Sequence, residues 1–170
     1  MGFLKGKTAI ITGGGRSVLK DGSCGSIGYG IATAYAKEGA NLVITGRNKQ
    51  KLADAKEELE RLYNIEVLPV QADVSAGADN ETVVQNVIDE TIAKFGRINV
   101  LINNAQASAS GVAANEWGPD GINANIICPL AWTAQLENFQ QAYPEAFEAN
   151  VKMPPAGHYG NVEKEIGRVC

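Results

Sequence analysis

The chain has 170 residues, of which 45% are hydrophobic and 20% are charged, and its formal net charge is −4 at pH 7. This length fits a single domain, 1–170, with a sizeable core, and a small negative charge without a basic run argues against a nucleic-acid partner. The 3 cysteines lie far apart and form no Cys-x-x-Cys pair, so the sequence indicates neither a metal site nor a disulfide framework.

No stretch of the sequence looks like a membrane segment or a secretory leader. The first residues, MGFLKGKTAII, lack the apolar core of a signal peptide, and no later run approaches the length of a membrane span. We therefore expect a cytoplasmic protein with no membrane partner.

The stretch near the start of the chain carries the first functional pattern. Thr8–Thr12 is apolar and β-branched, which predicts a buried strand, and Gly13–Gly15 forms a turn after it. A helix is predicted at Ile27–Lys37, behind a polar loop from Arg16 to Cys24. Glycines let the backbone approach a phosphate, and the free N–H groups at a helix start attract it. A turn that only needs positive φ is the alternative, but the flanking strand and helix favour a phosphate site.

Strands and helices then alternate along the chain. Strands are predicted at Asn41–Thr45, Glu66–Ala72, Val100–Asn103 and Ile122–Cys128, and helices from the capping residue Asn48 through Tyr63, at Glu81–Phe95 and at Ala134–Asn150. This order predicts an α/β fold: a doubly wound parallel sheet of about five strands, with helices on both faces and right-handed crossovers. Pro69 places the third strand at a sheet edge, where a missing backbone donor costs least.

Helical spacing predicts which side chains face the core. The inward residues of the second and third helices are Leu52, Ala55, Leu59 and Leu62, and Val84, Val87, Ile88, Thr91 and Phe95. Lys51 and Glu58 belong to the charged outer side of the second helix, which is interpreted as a solvated face and not as a site. Two locations are possible for a later group of apolar residues: the wall of an apolar pocket or the buried core. The group consists of Trp132, Phe139, Tyr143, Phe147 and Met153.

Four motifs in this order resemble the short-chain dehydrogenase/reductase family. They are Thr12-Gly13 with the later Ser26-Ile27-Gly28, Asp73-Val74, Asn103-Asn104-Ala105, and the segment WGPDGINANIICP from Trp117 to Pro129. The resemblance implies a Rossmann-type domain that binds NAD(H) or NADP(H). Ser26 stands where the family usually has its middle glycine, which makes the glycine loop more similar to the enoyl-reductase branch.

The resemblance also implies a role for each matched residue. Gly13, Ser26 and Ile27 would contact the cofactor phosphates. Asp73 would bind the adenine amine and Val74 would pack beside the ring, whereas Asn104 and Ala105 would line the ribose. Capping of the following turn is the alternative for Asp73.

The end of the second strand bears on the choice of cofactor. It reads Thr45-Gly46-Arg47, without the acid that would accept the hydroxyls of an NAD ribose. The resemblance therefore favours NADP(H) over NAD(H), with Arg47 meeting the 2′-phosphate and Arg16 as a helper. A surface arginine in a turn is the alternative.

The proton-transfer residues of the family are absent from the sequence. The family uses Tyr-x-x-x-Lys on one helix and a serine on the strand before it, yet none of the 5 tyrosines has a lysine at the fourth place after it. No residue of this chain is therefore assigned a catalytic role. A family member would carry that segment between Val112 and Ala113, which are joined directly here. An internally shortened form, pieces joined across a gap and a natural non-catalytic relative all fit this junction.

Two functions remain open at this point. The first is an NAD(P)(H)-dependent oxidoreductase that moves a hydride to or from a small-molecule carbonyl, alcohol or activated alkene. The alternative is a non-catalytic dinucleotide-binding module or regulatory relative. In both cases we expect a homo-oligomer, because the missing helices would leave an apolar sheet face uncovered.

Overall fold

The computed structural model describes residues 2–74, 80–105, 129–151, 153–154 and 157–168. Within them the strands β1 (Thr8–Thr12), β2 (Asn41–Gly46), β3 (Val67–Gln71) and β4 (Val100–Ile102) form one sheet in the order β3-β2-β1-β4. All neighbouring strands are parallel. The α/β parallel sheet is thus confirmed with four described strands, whereas the expected strand Ile122–Cys128 lies outside the described residues.

The strand order places a crevice beside β1. From β1 the chain moves outward through β2 to β3, then returns to the other side of β1 to form β4. The direction of winding therefore reverses between β1 and β4, and ligands of open parallel sheets bind at the carboxyl ends of the strands at such a point.

Five α-helices and one short π-helix are described. They are α1 (Ile27–Lys37), α2 (Lys49–Tyr63), α3 (Asn80–Phe95), α4 (Ala134–Ala142), α5 (Pro144–Asn150) and the C-terminal π-helix (Val162–Ile166). In the part of the chain that the structure describes, every helix is too short or too polar to cross a bilayer.

Alternate residues of the strands pack on opposite faces of the sheet. Ile11 and Ile44 belong to one core cluster with residues of α1 and α2, whereas Ile10 and Val43 belong to another with Val87 of α3. Helices therefore pack on both faces of β1 and β2, which explains why these strands read as continuous apolar runs. Leu101 of β4, by contrast, is 44% exposed.

Helix α1 is buried on all sides, because it lies between the sheet and the C-terminal π-helix. Every residue from Gly28 to Ala36 is buried. A Cβ on Gly30 would lie 2.3 Å from the carbonyl oxygen of Val162, so only glycine allows the π-helix to approach this closely. Lys37 forms an ion pair with Glu163 across the same contact.

Cys24 is held at this contact. Its Sγ lies 3.7 Å from the Thr33 Oγ1 of α1 and 3.5 Å from the Glu163 Oε2 of the π-helix. Burial is the main cause that raises the pKa of the Cys24 thiol to about 11. The thiol therefore stays protonated and contributes to packing rather than to chemistry at neutral pH.

Most predicted element bounds agree with the structure to within a residue, and the capping interaction is present as expected. The Lys51 N–H donates to the Asn48 Oδ1 at 3.0 Å. Two predicted core positions are wrong: Leu62 is 49% exposed and Val84 is 39% exposed. Each lies near an end of its helix, where helical spacing alone does not ensure that neighbouring elements cover the side chain. Pro69 lies in β3 at an edge of the described sheet, as predicted.

The predicted single helix over 134–150 is interrupted. It consists of α4 and α5, separated at Tyr143, which has φ −141° and ψ 64°. Pro144 causes the break, because proline disfavours helical angles at the residue before it, while at the first position of a new helix its missing N–H costs nothing.

The buried and exposed leucines of α2 give a test of this packing. Leu59 is fully buried and Leu62 is half exposed. We expect Leu59→Ala to lower the free energy of unfolding by about 2–5 kcal/mol through cavity formation, and Leu62→Ala by less than about 1 kcal/mol. Urea denaturation followed by circular dichroism measures both. Equal losses would contradict the orientation of α2.

The Cys24 thiol predicts alkaline destabilisation. In the unfolded chain it titrates near its ordinary pKa of 9.0, but in the folded chain only near 11. Between these values the unfolded state has lost a proton that the folded state keeps, so the free energy of unfolding falls as pH rises. Between pH 8 and 11 the free energy of unfolding should fall in both chains, and the fall should be about 1–2 kcal/mol smaller in Cys24→Ala than in the parent chain. Parallel stability curves would refute this assignment.

Candidate cofactor site

The site is built around Thr12, the last residue of β1. The Thr12 Oγ1 accepts hydrogen bonds from the Asn104 N–H and the Ala105 N–H, each at 2.9 Å, and donates to the Ile102 carbonyl at 3.3 Å. The Asn104 Nδ2 donates to the Thr12 carbonyl at 2.8 Å. These four bonds, which we call the clasp, fasten the carboxyl ends of β1 and β4 to each other. The clasp lies next to the point where the winding reverses.

Two glycines allow α1 to begin against this clasp. Gly13 has φ +72°, a left-handed conformation that other residues rarely adopt. A Cβ on Gly28 would lie 2.3 Å from the Gly13 carbonyl oxygen and 2.5 Å from the Asn104 Nδ2. The first turn of α1 therefore touches the turn after β1, so the start of the helix lies against the carboxyl ends of β1 and β4.

Ser26 offers an unused hydroxyl at the start of α1. It occupies the N-cap position, but its side chain makes no capping hydrogen bond. Its Oγ is buried and lacks a hydrogen-bond partner among the described residues. A buried polar atom without a partner is costly. The hydroxyl and the free N–H groups of the first turn of α1 thus fit a bound phosphate group.

A cavity of about 580 Å³ lies over this clasp. Its volume is within the range of small-molecule and cofactor sites. Five of the predicted site residues line it together: Gly13, Ser26, Ile27, Arg47 and Asn104.

The two predicted arginines lie in different surroundings. Arg47 follows β2, is exposed and lines the cavity, and it has no ion-pair partner among the residues that the structure describes. Arg16 instead forms an ion pair with Glu58 of α2, with Nε and Oε2 2.5 Å apart. Of these two arginines, only Arg47 has its charge available at the cavity.

Glu58 connects the glycine loop to α1 and α2. Besides Arg16, its carboxylate accepts a hydrogen bond from the Tyr29 hydroxyl at 2.9 Å. The hydrogen bond to Glu58 raises the pKa of Arg16. Burial is the main cause that raises the pKa of Tyr29, and its hydrogen bond to Glu58 is the second cause. Both groups therefore keep their protons at neutral pH, and the network is electrostatically stable there.

Three further predicted residues do not line the cavity. Asp73 and Val74 follow β3, and the Ala72 N–H just before them donates to the Gly46 carbonyl at 3.1 Å. Val74 packs against the core cluster under α3. Ala105 takes part through its N–H bond to Thr12. None of these three lines the described cavity wall.

The sequence did not point to several lining residues. Lys51 is exposed, as expected for the solvated side of α2, but it also lines the cavity. Helix α4 contributes Thr133 and Asn138, and its Ala134 N–H donates to the Gly25 carbonyl at 2.7 Å. The Thr133 side chain caps α4, a signal that the sequence contains, but contact with the glycine loop is long-range and has no local signature.

Comparisons with known proteins identify the family. The model of the short chain dehydrogenase family matches residues 7–114. The 12alpha-hydroxysteroid dehydrogenase of Clostridium sp. is 45% identical over 240 aligned positions, which cover 100% of this chain and 90% of that protein. The chain therefore belongs to the short-chain dehydrogenase family, a family of oxidoreductases with a Rossmann-type nucleotide-binding fold.

Solved structures give the same fold. The L-sorbose reductase from Gluconobacter frateurii, complexed with NADPH and L-sorbose, matches 63% of this chain and 35% of its own at 32% identity and a TM-score of 0.51. Another structure of that reductase aligns over 98% of this chain and 89% of its own, with 18% identity and a TM-score of 0.71. An NAD+-bound xylitol dehydrogenase matches 62% of this chain and 35% of its own, with 27% identity and a TM-score of 0.51.

These similarities support a nicotinamide dinucleotide as the cofactor and favour the oxidoreductase interpretation over the non-catalytic module. They also bear on the missing segment. The alignment with the hydroxysteroid dehydrogenase spans 240 positions and this chain has 170 residues, so about 70 positions of that protein have no counterpart here.

The contact between Gly28 and Gly13 predicts an asymmetry between two cavity glycines. A Cβ on Gly28 would collide with backbone at 2.3 Å, whereas a Cβ on Gly46 would have its nearest neighbour at 3.6 Å. We expect Gly28→Ala to lower the free energy of unfolding by about 1–3 kcal/mol and to abolish the rise in melting temperature given by a nicotinamide dinucleotide. Gly46→Ala, the matched control, should change stability by less than about 1 kcal/mol. Equal behaviour of the two variants would show that α1 does not start against the clasp.

Proposed function

We propose that this chain binds NADP(H) in preference to NAD(H), with Arg47 as the partner of the 2′-phosphate. The observation that carries the proposal is the position of Arg47: it lines the cavity directly after β2, with no described carboxylate paired to it. An NAD site has an acid in this region to accept the ribose hydroxyls, and here the strand ends in Thr45-Gly46-Arg47. Arginine matches a phosphate by charge and by its fork of donors.

The other predicted residues would hold the rest of the cofactor. Ser26 and the N–H groups of the first turn of α1 would bind the pyrophosphate, with Gly13 and Ile27 in contact beside it. Asn104 and Ala105 would lie along a ribose at the end of β4, and Asp73 with Val74 would bind the adenine at the end of β3. The clasp between Thr12 and Asn104 supports this arrangement, because it fixes the backbone that faces the ribose.

We further propose a substrate that is a secondary alcohol or ketone on a large apolar skeleton, as in a hydroxysteroid. The 45% identical relative is named as a hydroxysteroid dehydrogenase. An aromatic group next to the cavity supports this choice: Phe139 contacts Tyr143 and Phe147, and Trp132 contacts Phe147 and Tyr159. Thr133, next to Trp132, lines the cavity itself. When bound, the nicotinamide ring supplies the hydride acceptor or donor.

The chain as given provides binding without its own proton donor. The sequence contains no Tyr-x-x-x-Lys, and we propose that the roughly 70 positions without a counterpart fall at the junction 112/113 and carry it. The end of the family-model match at residue 114 supports this position. A homo-oligomer in the cytoplasm remains our expectation for the single domain 1–170.

Titration of the chain with NADPH and with NADH, followed by nicotinamide fluorescence, tests the cofactor choice. We expect tighter binding of NADPH, and a preference reduced about tenfold in Arg47→Gln, because one charge-assisted contact to the 2′-phosphate is lost. Lys49→Gln is the matched control: it removes a positive charge two residues away, at a position that does not line the described cavity.

Two results would contradict the proposal. Equal loss of preference in Arg47→Gln and Lys49→Gln would show a general charge effect rather than a contact. Binding of neither cofactor by the parent chain would refute the site itself.

Addition of a 12-ketosteroid to the NADPH complex should cause no oxidation of NADPH, because the proton donor is absent; turnover would place the donor within these 170 residues.

A further inference from the structure

We infer that Lys51, and not Arg16, is the second cation of the 2′-phosphate subsite, and that Glu58 decides this by holding Arg16. The inference rests on the proposed preference for NADP(H). It concerns which side chain assists Arg47, and the geometry of the glycine loop against α2 carries it.

Lys51 lies on the same cavity wall as Arg47. Asn48, the residue directly after Arg47, links the two. Its Oδ1 caps α2 by accepting a hydrogen bond from the Lys51 N–H at 3.0 Å. The glycine loop packs on Lys51 from the other side: a Cβ on Gly15 would lie 3.2 Å from the Lys51 Cβ. Both Gly15 and Lys51 line the cavity, so the lysine stands where the loop and α2 meet.

Arg16 is committed elsewhere by both its backbone and its side chain. The Arg16 N–H donates to the Lys51 carbonyl at 2.8 Å, which fixes where the side chain leaves the loop. From there its guanidinium reaches Glu58, two turns further along α2, at 2.5 Å. Arg16 is not among the residues that line the cavity. To reach a ligand beside Arg47 it would have to abandon the Glu58 carboxylate.

The charges around Lys51 are unbalanced in the described structure. Arg47, Lys49 and Lys51 fall within five positions, and the first turn of α2 contains no acidic residue to offset them or the positive helix end. The nearest carboxylates of α2 are occupied: Asp54 accepts a hydrogen bond from the Gln50 side chain at 2.7 Å, and Glu58 accepts from Arg16. A dianionic phosphate at this wall would neutralise the excess, which an NAD ribose would not.

The test compares the ratio of NADPH to NADH affinity among variants of the full chain. We expect Lys51→Gln to lower that ratio about fivefold, Lys51→Arg to retain it, and Lys49→Gln to leave it unchanged. Arg16→Gln should lower the melting temperature and leave the ratio unchanged. Because the ratio compares two cofactors on the same variant, a smaller folded fraction affects both affinities alike.

The outcomes separate the inference from the proposed function. A parent chain that prefers NADPH, with a preference lost in Arg16→Gln but kept in Lys51→Gln, would overturn the inference and leave the proposed function intact. A parent chain without any NADPH preference would overturn both. Raising the salt concentration should reduce the ratio of the parent chain more than that of Lys51→Gln, since the screened contact is absent from the variant.

Discussion

The arrangement of the site depends on the clasp between Thr12 and Asn104. One hydroxyl and one side-chain amide fasten the ends of two neighbouring strands through four hydrogen bonds. The Asn104 amide also lies 2.5 Å from where a Gly28 Cβ would be, so the clasp sets the closest approach of α1 to the sheet. These four hydrogen bonds hold the two strand ends in one arrangement and so fix the position of the start of α1 at the cavity.

The charged residues near the cavity divide into those that pair with other residues of the fold and those that face the cavity. The Glu58 carboxylate of α2 pairs with Arg16 and accepts a hydrogen bond from the Tyr29 hydroxyl. It thereby connects the glycine loop to α1 and α2. Arg47 and Lys51 have no such partner among the described residues. The Arg16–Glu58 pair ties neighbouring elements together, whereas the exposed cations Arg47 and Lys51 remain available to an anion in the cavity.

Local patterns predicted the fold well because they are recorded in consecutive residues. The Asn48 cap, the α1 bounds at Ile27–Lys37 and the edge position of Pro69 each follow from a short stretch of sequence. The pairing of Arg16 with Glu58 joins residues 42 positions apart, and no local rule distinguishes it from a solvated arginine. The contact of α4 with the glycine loop is hidden for the same reason. Pro144, by contrast, is a local signal of the helix break. The prediction of one helix over 134–150 is wrong because it follows the apolar spacing across the proline instead.

The proposed cofactor contacts that line the cavity lie within the described residues, even though the chain contains no Tyr-x-x-x-Lys. Helix α1, which presents its start to the cavity, is enclosed by the sheet on one side and by the C-terminal π-helix on the other, through Gly30 and Val162. Neither contact involves the junction at 112/113. The clasp likewise uses only the ends of β1 and β4. The proposed cofactor contacts therefore do not depend on that junction, and the absence of Tyr-x-x-x-Lys leaves the fold around them unchanged.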